Sequence, residues 1–167
     1  MLPLNQLSAD AAASCAVRDG VFGLTLSSEI TVAASPARIW AVLTDFPAYG
    51  MWNRTIPAIQ GEPIAGTSLR VIIEWPDLRR GNYRLVVLAA KAQQELRWLG
   101  RFGFPGLMDG DHRFLLEANK TGGTKVVQVE NFSGALVPCF APWLRDNVLR
   151  GFAQMNQALK VRAESMP

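Results

Sequence analysis

The sequence predicts an α+β domain: an antiparallel sheet that curls around one long C-terminal helix. Three observations predict it. Phe140, Leu144, Val148, Phe152, Met155 and Leu159 recur at steps of three and four, which draws one apolar stripe along a helix. From Leu24 onward most of the chain alternates apolar and polar residues, the pattern of strands with one dry and one wet face. Those strands follow one another through short turns, which favours hairpins over crossovers. A sheet of about seven strands with one dry face twists and curls, and the helix is the layer that covers it.

The elements follow in order. Residues 1–23 read as a poorly defined N-terminal arm, whose Ala-rich, loosely patterned stretch from Met1 to Asp19 reads as either a short helix or a frayed arm; 24–163 read as a single domain. Leu24, Leu26, Ile30 and Val32 oppose Thr25, Ser27, Glu29 and Thr31 in a long first strand. Ser35 is placed to cap a helix and Pro36 suits its first position, where no N–H is needed. Ile39, Trp40 and Leu43 form the apolar side of that helix. Asp45-Phe46-Pro47 starts a second short helix, which Gly50 is expected to end. Ile56 to Gln60 is a short strand whose Pro57 suits a sheet edge.

Gly61 to Gly66 is a turn. Leu69, Val71, Ile73 and Trp75 then alternate with Ser68, Arg70, Ile72 and Glu74. Arg79 to Asn82 turns the chain into a strand from Tyr83 to Ala90. Leu96 and Trp98 belong to the next, and Gly100 to Gly106 reads as a loop. In the last hairpin, pairing Ala118 with Thr124 sets Leu116 against Val126, Phe114 against Gln128 and His112 against Glu130. Arg113, Glu117, Lys125 and Asn131 then face solvent. The final helix is expected from Phe140 to Arg162, with Pro142 in its first turn.

Composition narrows the function. A chain of 167 residues with 49% hydrophobic residues supports one well-filled core. The net charge of +3 comes from scattered basic residues, which argues against nucleic-acid binding. No apolar run reaches the ~20 residues of a membrane span. The N-terminus lacks the basic start and apolar block of a signal peptide. Cys15 and Cys139 show no metal-type spacing and read as reduced thiols, so a cytoplasmic location is expected. The three Asn-x-Ser/Thr matches then read as chance. His112 is the single histidine, so no metal site is expected. There is no HExxH, GxSxG or phosphate-binding glycine pattern, and no cofactor is expected.

A curved sheet over one helix leaves room for an apolar pocket. The residues expected to line it are Trp52, Trp75, Trp98, Phe102, Phe104, His112, Phe114, Gln128, Glu130, Phe132, Phe152 and Met155. Trp52, Trp75 and Trp98 read equally as pocket lining or as core. Phe102, Phe104 and Leu107, between glycines, read either as a lid or as rings tucked onto the sheet edge. His112 and Glu130 are the candidate catalytic pair, because a carboxylate beside an imidazole suits proton transfer. Bracing of two strands by a satisfied polar pair is the plainer reading.

Several stretches resemble one family. Ser35-Pro-Ala-Arg-Ile-Trp40, Leu43-Thr-Asp45-Phe46, Tyr49, Trp52-Asn53 and Ile59-Gln-Gly61 look like the START-related SRPBCC superfamily, in its polyketide cyclase/dehydrase-like branch. Glu95-Leu96-Arg97-Trp98, His112-Arg-Phe114, Gln128-Val-Glu130-Asn-Phe132-Ser-Gly134 and Leu159-Lys160 carry the same likeness. It covers about residues 28 to 163. The resemblance implies a helix-grip fold: a seven-stranded antiparallel sheet wrapped on a C-terminal helix, two short helices after the first strand, and a cavity for apolar ligands. It implies no shared catalytic motif. Members include lipid carriers, hormone receptors, aromatase/cyclases and chaperone-stimulating domains. The first expectation is therefore a non-enzymatic protein that binds, carries or senses a small hydrophobic or amphipathic ligand. A cyclase/aromatase-like enzyme using His112 and Glu130 is the second, and a protein-interaction module is the third. Nothing in the sequence specifies an oligomeric state.

Overall fold

The computed structural model describes residues 14–75, 80–120 and 122–166. The expected arm up to residue 13, Arg79 of one expected turn and Thr121 of another lie outside the described residues. In order the chain forms β1 (Ser14–Gly20), β2 (Gly23–Val32), α1 (Pro36–Thr44), a 3-10 turn (Phe46–Ala48), α2 (Tyr49–Trp52) and β3 (Ala58–Gln60). Then come β4 (Ser68–Ile73), β5 (Gly81–Lys91), β6 (Glu95–Phe102), β7 (Met108–Ala118), β8 (Thr124–Ser133) and α3 (Val137–Ser165). All strands lie in one antiparallel sheet in the order β1-β2-β8-β7-β6-β5-β4-β3. The α1–α2 connection carries the chain from one side of the sheet to its far edge, where β3 sits. This is the helix-grip arrangement.

Among the described residues the sheet has eight strands rather than the expected seven. The additional one is β1, from the stretch read as an arm, paired from Ser14 opposite Glu29 to Gly20 opposite Gly23. Residues 15–20 are all exposed. This strand is held by its backbone ladder and buries no dry face, so hydrophobic periodicity could not reveal it. Asp19 also pairs with Arg145 of α3.

Ser35 caps α1 as expected, accepting from the Arg38 N–H at 3.3 Å, with Pro36 in the first turn. Gly50 does not end the second helical segment. α2 continues to Trp52, and Asn53 closes it by donating its N–H to the Tyr49 carbonyl at 2.8 Å. The side-chain oxygen of Asn53 then receives the Ile56 N–H.

The stretch from Gly100 is not all loop. β6 continues to Phe102, with Gly100 opposite Gly110 and Phe102 opposite Met108. The loop shrinks to Gly103–Leu107, with Gly103 and Gly106 in the left-handed region. It is tied down, since Ala135 and Leu136 donate their N–H groups to the carbonyls of Gly106 and Leu107. The β7–β8 register matches the expected pairing throughout, including His112 opposite Glu130.

α3 begins at Val137, with Pro138 in its first turn, so Pro142 falls inside the helix. Pro142 gives up the N–H that would bond the Pro138 carbonyl. Five of the six stripe residues are buried, while Phe140 is 44% exposed. The C-terminal half of α3 is clamped. Met155, Leu159 and Ala163 enter the main core beside Ile30, Val32, Ile39 and Leu43. Lys160 donates to the Thr31 carbonyl, and Glu164 accepts the Ala33 N–H at 2.7 Å. The N-terminal half packs Leu144, Val148 and Phe152 on Leu24 and Leu26 as a separate cluster. Beside these clusters a gap is left between α3 and the strands β4 to β8.

Candidate ligand cavity

The gap is a cavity of about 420 Å³ bounded by β4 to β8 on one side and α3 on the other. It exists because of small residues on the sheet's inner face. Gly100 and Gly110 lie side by side on β6 and β7 and both line it. A Cβ at Gly100 would stand 2.8 Å from the Leu85 side chain, and one at Gly110 would stand 2.7 Å from Glu130 Oε1. A bulkier residue at either place would fill the space that Trp98, Phe132 and Phe152 leave.

Eight of the expected lining residues face this cavity: Trp75, Trp98, Phe102, His112, Glu130, Phe132, Phe152 and Met155. Four do not line it. Trp52 packs on Tyr49, with ring centroids 4.9 Å apart, in the core beneath α1. Phe114 and Gln128 are fully buried and form a layer below the wall. Phe104 is 65% exposed in the loop; Phe102, at 57%, stands at the rim. Neither ring tucks onto the sheet edge.

Sequence reasoning missed Tyr83, Met108, Trp143 and the two glycines, which also line the cavity. Trp75 donates its indole N–H to the Tyr83 hydroxyl at 2.9 Å and meets Trp143 edge-on at 5.4 Å. Trp143 falls off the helical stripe by one position. Gly100 and Gly110 carry no apolar signal at all.

His112 lies in an aromatic cage, with Trp98, Phe114 and Phe152 ring centroids 5.4, 4.6 and 5.2 Å away. Its Nδ1 is 3.4 Å from Glu130 Oε2 and its Nε2 is 3.2 Å from Gln128 Oε1. Gln128 Nε2 donates to Asn156 Oδ1 at 2.6 Å, and Asn156 Nδ2 donates to Ser28 Oγ at 3.1 Å. The line Glu130–His112–Gln128–Asn156–Ser28 thus crosses from the cavity wall through the core, joining β8, β7, α3 and β2. Its members are otherwise surrounded by apolar groups, so each must find its partner in the line.

The orientation of the amides assigns the protons. Gln128 offers an oxygen to His112, so Nε2 carries hydrogen and Nδ1 of a neutral ring is an acceptor. Glu130 then supplies the proton between Oε2 and Nδ1. Burial acts in the same direction on both groups by penalising charge. It pulls His112 down to about 4, against smaller opposing pulls from Gln128 and Asp111. It pushes Glu130 up to about 8, with Asp111 adding to the rise. At neutral pH the pair holds one proton in total.

No group of three or more metal-type side chains is found among the described residues. Cys15 and Cys139 are exposed and unpaired with each other. No helix among the described residues is long and apolar enough to cross a membrane.

A long helix held by a curved sheet, with an aromatic-lined cavity between the two, defines a class of helix-grip cavity proteins. The profile described as polyketide cyclase / dehydrase and lipid transport matches residues 24–164, and the chain belongs to that family. No curated protein matches the chain significantly. Among solved structures, a START superfamily protein from Mycobacterium smegmatis is similar at a TM-score of 0.69, with 20% identity over 86% of this chain and 99% of that one. The di-domain ARO/CYC protein BexL of the BE-7585A biosynthetic pathway is similar at a TM-score of 0.72 and 13% identity, over 89% of this chain and 52% of that one. Ara h 8.0201 is similar at a TM-score of 0.67, with 18% identity over 86% of this chain and 99% of that one. These likenesses are likenesses of fold.

Proposed function

We propose that the protein binds a small hydrophobic or amphipathic molecule in the cavity between sheet and helix, to carry, sense or sequester it. The observation that carries this reading is the cavity itself. About 420 Å³ lies within the range of small-molecule sites, and its wall is aromatic and aliphatic with few polar groups. The test is displacement of the neutral fluorophore N-phenyl-1-naphthylamine, alongside mass spectrometry of organic extracts of the purified protein. Saturable probe binding that Gly100→Leu abolishes without unfolding the domain supports the reading. Absence of binding, or binding untouched by that substitution, discards it.

The His112–Glu130 pair in the cavity wall is the one observation that favours a second reading, a cyclase/aromatase-like enzyme. Against it, both ring nitrogens of His112 already face partners, so neither is free for a substrate. Glu130, protonated up to about 8, would then be the general acid. Turnover of polyketide-like substrates that disappears in Glu130→Gln would decide for it.

A further inference from the structure

Glu130 Oε2 faces His112, but Oε1 faces a different way. It lies against Gly110, in the space a side chain there would occupy, and both residues are part of the cavity wall. No protein donor meets Oε1 among the described residues. The neighbours of Glu130 on its own side are the backbone-paired Leu26 of β2, His112 of β7 and the apolar cluster with Phe132 and Phe152. Asp111, the nearest carboxylate, belongs to the outer face and is engaged by Arg97.

The proton shared by Glu130 and His112 sits between Oε2 and Nδ1. Placing it on the carboxyl or on the imidazole leaves Oε1 in the same role, a hydrogen-bond acceptor. The pair's total charge is zero in both cases. Of the other wall groups, Thr55 donates to the Gly151 carbonyl and Trp75 to the Tyr83 hydroxyl, while Arg101 stands half exposed, 3.7 Å from Asp109.

We propose that the cavity selects an uncharged ligand with an apolar body and a hydroxyl or N–H donor, received by Oε1 of Glu130. This rests on the cavity-binding reading above. A donor satisfies the acceptor that an all-apolar ligand would leave buried and unpaired. A ligand carboxylate placed against Oε1 instead sets acceptor against acceptor and gives up hydration at that point. Gly110 sets the specificity by leaving Oε1 reachable.

The test compares three compounds on one tricyclic body: 9-phenanthrol, 9-methoxyphenanthrene and phenanthrene-9-carboxylic acid. Each displaces N-phenyl-1-naphthylamine from the full chain at pH 7. The phenol should bind about fivefold to tenfold more tightly than the ether, the value of one neutral hydrogen bond. The acid should bind most weakly. In Glu130→Ala, checked for folding by circular dichroism, the phenol-to-ether ratio should fall to about one; the wild-type comparison stands without that variant. An ether equal to the phenol, an acid that binds best, or a ratio kept in Glu130→Ala overturns the inference while leaving the cavity reading intact. A probe that does not bind at all removes both.

Discussion

Replacing Glu130 with Gln keeps the shape of the side chain and removes its titration, and the effect belongs in the pH dependence of stability. In the folded protein burial pushes the Glu130 carboxyl from 4.5 to about 8 and pulls His112 from 6.5 to about 4. Between about pH 4.5 and 6.5 the folded pair holds one proton, on or near Glu130. The unfolded chain also holds one, on His112. The two slopes cancel and stability is level. Above 6.5 the unfolded chain has released its proton while the folded pair keeps it. Stability therefore falls as pH rises, until the folded carboxyl ionises near 8. One and a half pH units at about 1.4 kcal/mol each make a loss of about 2 kcal/mol. Urea unfolding followed by tryptophan fluorescence at pH 6.5 and 8.0 measures it. The wild type should lose that amount, and Glu130→Gln should be level over the same window. Exposed groups titrate alike in both proteins and drop out of the comparison. A wild type as stable at pH 8.0 as at 6.5, or a variant that loses stability in parallel with it, would refute the assignment of a proton to this pair.

Three further outcomes are expected. Gly110→Ala puts a Cβ 2.7 Å from Glu130 Oε1 and 3.3 Å from the Phe132 ring; a destabilisation of about 1–3 kcal/mol is expected, read from thermal melts, with weaker probe binding. Asn156→Leu strands the Gln128 amide donor in the core and should cost about 1–3 kcal/mol, read as a lower urea midpoint with an unchanged slope. A chain that starts at Val21 should still fold, since β1 buries no dry face, but it leaves β2 as an uncovered edge. Light scattering should then report self-association that the full chain lacks.

Much of this architecture is written in local pattern. The β7–β8 register follows from alternation alone, because a slip of one residue would turn Leu116, Phe114 and Val126 out to water. The capped α1 and the buried stripe of α3 follow from residue type and spacing. These features depend on which side of an element is dry, and a sequence states that directly. Tertiary structure decided the rest. β1 is held through its backbone, which every residue carries, so its sequence has no mark. Phe140 follows the stripe yet stands 44% exposed, because it lines the cavity, where the sheet stands off from α3. Gly100 and Gly110 read as loop punctuation, and only their meeting across β6 and β7 makes them the floor of a cavity. Periodicity points a side chain inward. Whether it meets another side chain or open space depends on the separation of a curved sheet and a helix that touch elsewhere, and that distance is not a property of any one segment.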